Sequence, residues 1–299
     1  MKGLDEVEDK FTFMTWDSAK AIREKVTAGT KVLIIGAGLI GLKCAEALHH
    51  LNADITVVDL ADRILPSILD VRAGEIMQKH IEDKGTKFIL GTSVEQFSKN
   101  SAKLTNGDTV DFDILVVAVG VRPNTELVSD AGGKVEKGII TDLHQQTTID
   151  NVYAAGDCTV SHDCSSNTDR ILALLPNAFM QGEVAGKNMA GEATLYLNAI
   201  PMNAIGFYGL HIITAGSYDG DEDITEDADK EIYKKLVFKD GLLKGFILMG
   251  DVARAGIYTS MIKEQIPLTE VDLDLLREKP QMMMFGKARR EEKLAGKKH

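Results

Sequence analysis

Three glycines stand in the series Gly36-Ala37-Gly38-Leu39-Ile40-Gly41, directly after the apolar run KVLII. A turn of this composition suits one kind of chemistry: it brings backbone N–H groups and the positive end of the following helix against phosphate oxygens. The positions divide the work. Gly36 permits the tight turn out of the strand, Gly38 lets the backbone approach a pyrophosphate with no Cβ in the way, and Gly41 lets the helix lie close on the sheet. Eighteen residues after Gly41 comes Asp59, at the end of the run DITVV. A carboxylate there accepts from ribose hydroxyls and repels a 2′-phosphate. Gly36, Ala37, Gly38, Leu39, Ile40, Gly41 and Asp59 are thus candidate ligands of an adenine dinucleotide, NAD(H) in preference to its phosphorylated form. Arg63, close by, is the group that would relax that preference.

The elements that must position these residues are legible around them. KVLIIG reads as a buried parallel strand, LIGLKCAEALHHLN has helical spacing, and DITVVD returns to strand. This strand–turn–helix–strand order is the context that the glycine series requires. Residues 69–84 are predicted helical, ending at Gly85, and KFILG follows as a strand. VEQFSKN and AKLTNGDTVDF alternate around the hairpin signal Asn106-Gly107, and DILVVAVG closes the unit. Beyond it VRPNTEL reads as a loop, GIITD and NVYAAGD as short strands, and residues 172–190 as a helix. From about residue 203 strands alternate with turns, with a hairpin at Lys239-Asp240-Gly241; the acidic stretch DGDEDITEDADKE reads as a solvated loop or strand edge.

The 299 residues are 44% hydrophobic and 26% charged, with a formal net charge of −11. That balance opposes binding to nucleic acid or to an anionic membrane, so neither is expected as a partner. No run of eighteen apolar residues is present, and the acidic opening MKGLDEVEDK has no apolar segment of a secretory signal. The basic cluster from Lys287 to Lys298 reads as a solvated tail. Three cysteines are too few for a disulfide framework and point to the cytoplasm. Cys44 reads as a buried hydrophobe, and the spacing of Cys158 and Cys164 matches neither a zinc knuckle nor a C-x-x-C redox motif, so no metal site is expected. No residue has a clear acid–base signature; His49, His50 and His144 read as surface residues, and the catalytic assignment stays open.

Three stretches together resemble the FAD-dependent pyridine nucleotide–disulfide oxidoreductase superfamily: the glycine series with its continuation VVDLADRILP, the crossover LVVAVGVRPNTEL, and TTIDNVYAAGDC. The resemblance implies that Gly120 closes over the nicotinamide nucleotide, that Asp157 hydrogen-bonds the ribityl chain of FAD, and that Gly156 allows close backbone approach. KLVFKDGLLKGFILMGDVARAGIYTSMI further resembles the C-terminal region of NADH–rubredoxin reductases and of the flavoprotein part of NAD(P)H-dependent nitrite reductases, so the likeness runs from about Gly3 to about Ile266.

The chain departs from that pattern in two ways. The superfamily opens with a half-domain whose own glycine series grips the ADP part of FAD, and these residues hold no such segment. The series at Gly36 cannot serve for it, because only 121 positions separate Gly36 from Asp157. The expectation is an N-terminally truncated chain that holds FAD poorly when isolated, with a partner subunit as one source of the FAD half. A redox-active cysteine pair is also missing, which implies a protein or prosthetic-group electron acceptor rather than a disulfide.

The expected fold class is α/β: a linker at 1–30, a Rossmann-type NAD(H)-binding domain at 31–121, a partial FAD-binding domain at 122–202, and a small C-terminal α+β domain at 203–299. The expected function is an NADH-dependent flavoprotein oxidoreductase that moves hydride from NADH to FAD and electrons on to an acceptor. The alternative is an NAD(H)-binding module or subunit with no flavin or activity of its own. Assembly is left open, a homodimer included.

Overall fold

The structure, a computed structural model, describes residues 1–295. Two compact units emerge, one of residues 1–121 with 205–211, the other of residues 122–204 with 212 onward.

In the first unit the chain runs through β1 (Lys10–Phe11), α1 (Trp16–Lys25), β2 (Lys31–Ile35), α2 (Leu39–His49), β3 (Asp54–Val58), α3 (Val71–Glu82) and β4 (Lys87–Ile89). A meander of β5 (Val94–Ser98), β6 (Ser101–Leu104) and β7 (Thr109–Asp111) follows, and then β8 (Ile114–Val117). The main sheet has the order β1-β8-β2-β3-β4 with every pairing parallel. Four of the five β2 residues are buried, as the apolar run requires of a strand covered on both faces. Residues 1–30 do more than connect, since Lys10 and Phe11 pair with Leu115 and Val116 as an edge strand. Helix starts follow local chemistry: the Thr15 side chain accepts from the Ser18 N–H, and Asp70 accepts from the Ala73 N–H at 2.9 Å. Between sheet and meander, Leu33, Val58 and Leu115 pack with Phe97 and Phe112, whose rings meet edge to face at 6.4 Å. The hairpin signal at Asn106-Gly107 falls between β6 and β7, with Gly107 at φ 95°. Residues 205–211 lie on α2, where Glu46 Oε1 accepts the Tyr208 N–H at 2.6 Å and Lys43 Nζ donates to the Gly206 carbonyl.

The second unit begins with α4 (Glu126–Ser129) and β9 (Ile139–Ile140), then β10 (Thr159–Asp163), β11 (Thr168–Ile171) and α5 (Leu175–Met189). After it come β12 (Met202–Phe207) and β13 (Leu210–Gly216), of which residues 205–211 count with the first unit, then β14 (Asp221–Asp227), β15 (Ile232–Lys239), β16 (Leu242–Met249), α6 (Ala255–Lys263), α7 (Leu273–Glu278) and α8 (Lys287–Ala295). Strands β9 to β11 form one small sheet; the others follow the order β12-β13-β16-β15-β14. Asp240 and Gly241 take φ 53° and 70°, the two positive values of a tight two-residue hairpin turn. Phe246, Tyr258, Met261 and Leu276 form the core between this sheet and the helices.

Three findings differ from what the sequence suggests. NVYAAGD does not form a regular strand. Its one neighbour is the antiparallel segment at Gln146, through a single bridge to Tyr153, and a buried strand needs partners on both edges. The acidic stretch, read as a solvated loop or strand edge, takes the second form: it is the edge strand β14, and it differs only in being tied down, with Asp223 paired to Arg277 at 2.6 Å. The basic cluster is helical over Lys287–Ala295, where Arg289 meets Glu270 at 2.8 Å and Lys293 meets Glu264 at 2.9 Å. Among its described residues, Lys287, Arg289 and Lys293 are thus offset by neighbouring carboxylates; its last positions, 296–298, lie outside the described residues.

All three cysteines are free, and Cys44 is fully buried on α2, as the sequence reading expected. Burial pushes its thiol up to about 12, and burial likewise raises Cys164, so both stay protonated at neutral pH. Since the thiolate is the reactive form, iodoacetamide at pH 8 should label the half-buried Cys158 first in the folded chain. Mass spectrometry after a short pulse checks this, and early labelling of Cys44 would contradict the packing described.

Candidate functional site

The glycine series lies where the order of the parallel sheet reverses, at the carboxyl end of β2 between β3 and β8. Crevices for nucleotides form at such switch points. Gly36 leaves β2 at φ 113° and donates its N–H to the Val58 carbonyl at 2.8 Å. A Cβ there would stand 2.4 Å from the Ala118 carbonyl oxygen; one on Gly41 would stand 1.9 Å from the Gly36 carbonyl oxygen. These two glycines serve the fold. Gly38 differs: its φ of −85° suits any residue, and a Cβ on it would meet nothing within 4 Å. The chain itself gives no reason for glycine at 38, whereas a closely approaching ligand does. Gly38 caps α2 without a side chain, and first-turn N–H groups, here those of Leu39, Ile40 and Gly41, have no acceptor within a helix. The residues therefore fit a pyrophosphate.

Asp59 closes the same turn. Its Oδ2 accepts the Ala37 N–H at 2.6 Å and its Oδ1 accepts the Ala61 N–H at 2.7 Å. Ala37 is fully buried, and its carbonyl accepts from the Leu65 N–H at 3.0 Å, so one carboxylate ties the glycine turn to the loop after β3. Each oxygen keeps a lone pair for a ligand hydroxyl. The sequence suggests ribose recognition and gives no sign of this anchoring, because backbone partners leave no mark in residue type. Arg63 lies against Gly74 of α3, with its buried Nε unpartnered and one terminal nitrogen 3.2 Å from Asp62. Gly120, after β8, takes φ 94° between the exposed Val119 and Val121, with open space on its Cβ side.

Gly156 and Asp157 belong to the second unit. Gly156 takes φ 88° and donates its N–H to Gln181 Oε1 at 2.5 Å, while its carbonyl accepts from the Thr159 hydroxyl at 2.8 Å. The Asp157 side chain is exposed and forms no hydrogen bond or ion pair among the described residues. A carboxylate held out on a fixed turn fits the polyol of a flavin cofactor. Sequence reasoning missed Gln181 and Asn177, both fully buried on α5. The available signal was their place on one helical stripe with Ala178 and Ala185, where amides stand among small apolar residues. His144 is neither free nor catalytic in setting: Nδ1 lies 3.0 Å from the Thr194 carbonyl. No cluster of metal-ligating side chains occurs among the described residues, and none of their helices is long and apolar enough to cross a membrane.

Residues 1–182 match the family described as pyridine nucleotide-disulphide oxidoreductase. The chain belongs to that family. Residues 201–266 match the rubredoxin NAD+ reductase C-terminal domain. The chain is 32% identical over 278 residues to the epsilon subunit of an NADH-dependent phenylglyoxylate dehydrogenase of Aromatoleum evansii, covering 89% of this chain and 66% of that one. It is 30% identical to the rubredoxin-NAD(+) reductase of Acinetobacter baylyi, covering 86% and 64%. Among solved structures, an engineered water-forming NADPH oxidase bound to NADPH superposes with a TM-score of 0.82 at 22% identity, over 91% of this chain and 66% of that one. The chain thus spans 64–66% of these relatives, less than two thirds, and only 30% of a Bacillus subtilis nitrite reductase. Oxidoreductases of this family use NAD(H) and FAD.

The glycines separate fold from binding, and that can be measured. Gly38→Val should keep the circular dichroism spectrum and abolish NADH binding in calorimetric titration. Gly41→Val, which drives a side chain into the Gly36 carbonyl, should fail to fold. An undiminished NADH affinity in folded Gly38→Val would remove the glycine series from nucleotide binding.

Proposed function

We propose that this chain acts as an NADH-dependent flavoprotein oxidoreductase whose electrons leave to a protein or prosthetic-group acceptor. The observation that carries the nucleotide half is Gly38, a glycine that only a ligand explains, beside the Asp59 carboxylate. For the flavin half, support comes from Asp157 on its clamped turn and from the family match over residues 1–182. For the acceptor, support comes from residues 201–266, which match a rubredoxin reductase domain, and from the absence of a C-x-x-C pair in the sequence. A bound flavin would supply the hydride-accepting ring and the means to release electrons one or two at a time.

The chain's residues have definable tasks in that reading. The turn at Gly38 and the first turn of α2 hold the dinucleotide pyrophosphate. Asp59 receives the ribose hydroxyls and disfavours a 2′-phosphate; Gly120 leaves room beside the nucleotide; Gly156 and Asp157 hold the flavin polyol. Preference for NADH has a second support. The engineered NADPH oxidase replaces an aspartate eighteen residues after a replaced glycine, and a proline seven beyond it, with arginine introduced at that proline and directly after the aspartate. Gly41, Asp59, Leu60 and Pro66 repeat that spacing here, and the water-forming NADH oxidase of Lactobacillus brevis from which that mutant was made is bound to NADH.

The alternative, an NAD(H)-binding module without flavin, is favoured by one observation: these residues contain a single G-x-G-x-x-G series. Ribityl contacts contribute about 0.5–1.5 kcal/mol each, while micromolar affinity needs about 8 kcal/mol net of immobilisation. The purified 299-residue polypeptide should therefore bind NADH yet hold FAD only weakly, which visible absorption before and after FAD addition checks. Stoichiometric yellow protein would dismiss the module reading.

Nucleotide preference provides the test of Asp59. NADH should bind more tightly than NADPH, and Asp59→Ala should lose that preference at a cost to NADH binding of roughly 1.5–3 kcal/mol for a charge-assisted hydrogen bond. Adding Leu60→Arg and Pro66→Arg should reverse the order. The ratio of the two affinities is the proper readout, because loss of the Ala37 and Ala61 anchors weakens both alike. Equal affinities in the wild type would defeat the assignment.

A further inference from the structure

The Gly156–Asp157 turn is gripped from two sides by buried side chains. Gln181 Oε1 accepts the Gly156 N–H at 2.5 Å, and the Gly156 carbonyl accepts from both the Thr159 hydroxyl, at 2.8 Å, and the Thr159 N–H, at 3.0 Å. A backbone N–H can only donate, so it fixes the orientation of the Gln181 amide. Oε1 must face Gly156, which leaves Nε2 to donate to Ser161 Oγ. Gln181, Thr159 and Ser161 are 1%, 0% and 4% exposed. One helical turn earlier Asn177 donates to the Ile200 carbonyl at 3.0 Å and accepts from the Tyr196 hydroxyl at 2.9 Å. Helix α5 thus carries two interior amides in succession: Asn177 fixes the helix against residues 196–200, and Gln181 fixes the glycine turn against the helix. A Cβ on Gly156 would find its nearest neighbour, Ala178 Cβ, at 3.5 Å, so the glycine serves its positive φ rather than clearance.

We propose that Gln181 is a positioning residue for flavin, acting through the Gly156 N–H to hold the Asp157 carboxylate toward the ligand polyol. The proposal rests on the flavin reading above. The unpartnered Asp157 has no interaction of its own to fix its direction, so its aim depends on the backbone beneath it. Gln181 and Thr159 hold that backbone at its donor and its acceptor together. Replacing Gln181 by leucine leaves the half-buried Gly156 N–H and the buried Ser161 hydroxyl without that partner. Glutamate at 181 keeps an acceptor for Gly156 and a second oxygen for the Ser161 hydroxyl.

Amide-resolved NMR of the 299-residue chain, with FAD titrated into the millimolar range, provides the test. In Gln181→Leu the Gly156 N–H should exchange about tenfold faster or more, and FAD should shift the Gly156 and Cys158 resonances with about tenfold weaker affinity. Gln181→Glu should restore both. Asp157→Ala should weaken FAD while leaving Gly156 protected. A purely structural Gln181 would lower the melting temperature in both 181 variants and leave Gly156 exchange and the FAD titration of the folded protein unchanged; that result overturns the proposal and spares the flavin reading. FAD that moves no resonance in the wild type overturns the flavin reading instead, and the exchange rates still report whether the clamp exists.

Discussion

The first unit depends on one close approach, that of the α2 backbone at Gly41 to the carbonyl of Gly36. Helix and strand are joined there by only a few residues, and a Cβ at position 41 would fall 1.9 Å from that oxygen. Everything at the nucleotide end follows from this contact. It sets the N-terminus of α2 over the end of β2 and leaves Gly38 as the one turn glycine with nothing beside it. A helix one methyl further out would still be a helix. Its first-turn N–H groups would no longer line the crevice at the switch point.

Both units hold a glycine turn by the same device, an acceptor side chain that takes a backbone N–H. In the first unit Asp59 takes the Ala37 N–H; in the second Gln181 takes the Gly156 N–H. They differ in how duties are shared. Asp59 anchors the turn and, in the function proposed, also receives the ribose, so recognition and local stability would reside in one carboxylate. In the second unit Gln181 anchors, and Asp157 one residue beyond the turn glycine is left free. A neutral amide suits the anchoring post because one end accepts from Gly156 while the other donates to Ser161.

What the sequence made legible were features whose cause is local. The glycines at 36 and 41, and the turns at Asn106-Gly107 and Asp240-Gly241, each reflect a backbone conformation or approach that few residues allow. Features whose cause is a distant partner were not legible. The basic cluster at Lys287 reads as a tail because Glu264 and Glu270, which order it, lie some twenty residues earlier. Gln181 escaped notice for the same reason: its meaning is Gly156, twenty-five residues away.

The double role proposed for Asp59 constrains how nucleotide choice can change in this fold. Removing the carboxylate to admit a 2′-phosphate also strips acceptors from the Ala37 and Ala61 N–H groups. Ala37 is fully buried, and an unsatisfied donor there costs about 1–3 kcal/mol, comparable to the charge-assisted bond gained from ribose. Ala61 is partly open, and water can replace its partner. Leu60, by contrast, is 73% exposed beside the same carboxylate, so a cation there adds an attraction for phosphate without disturbing any packed group. Charge added at 60 and 66 therefore alters preference at little structural cost, whereas loss of Asp59 alone spends stability on the turn. The geometry favours a change of specificity that gains its cations first and loses its carboxylate last.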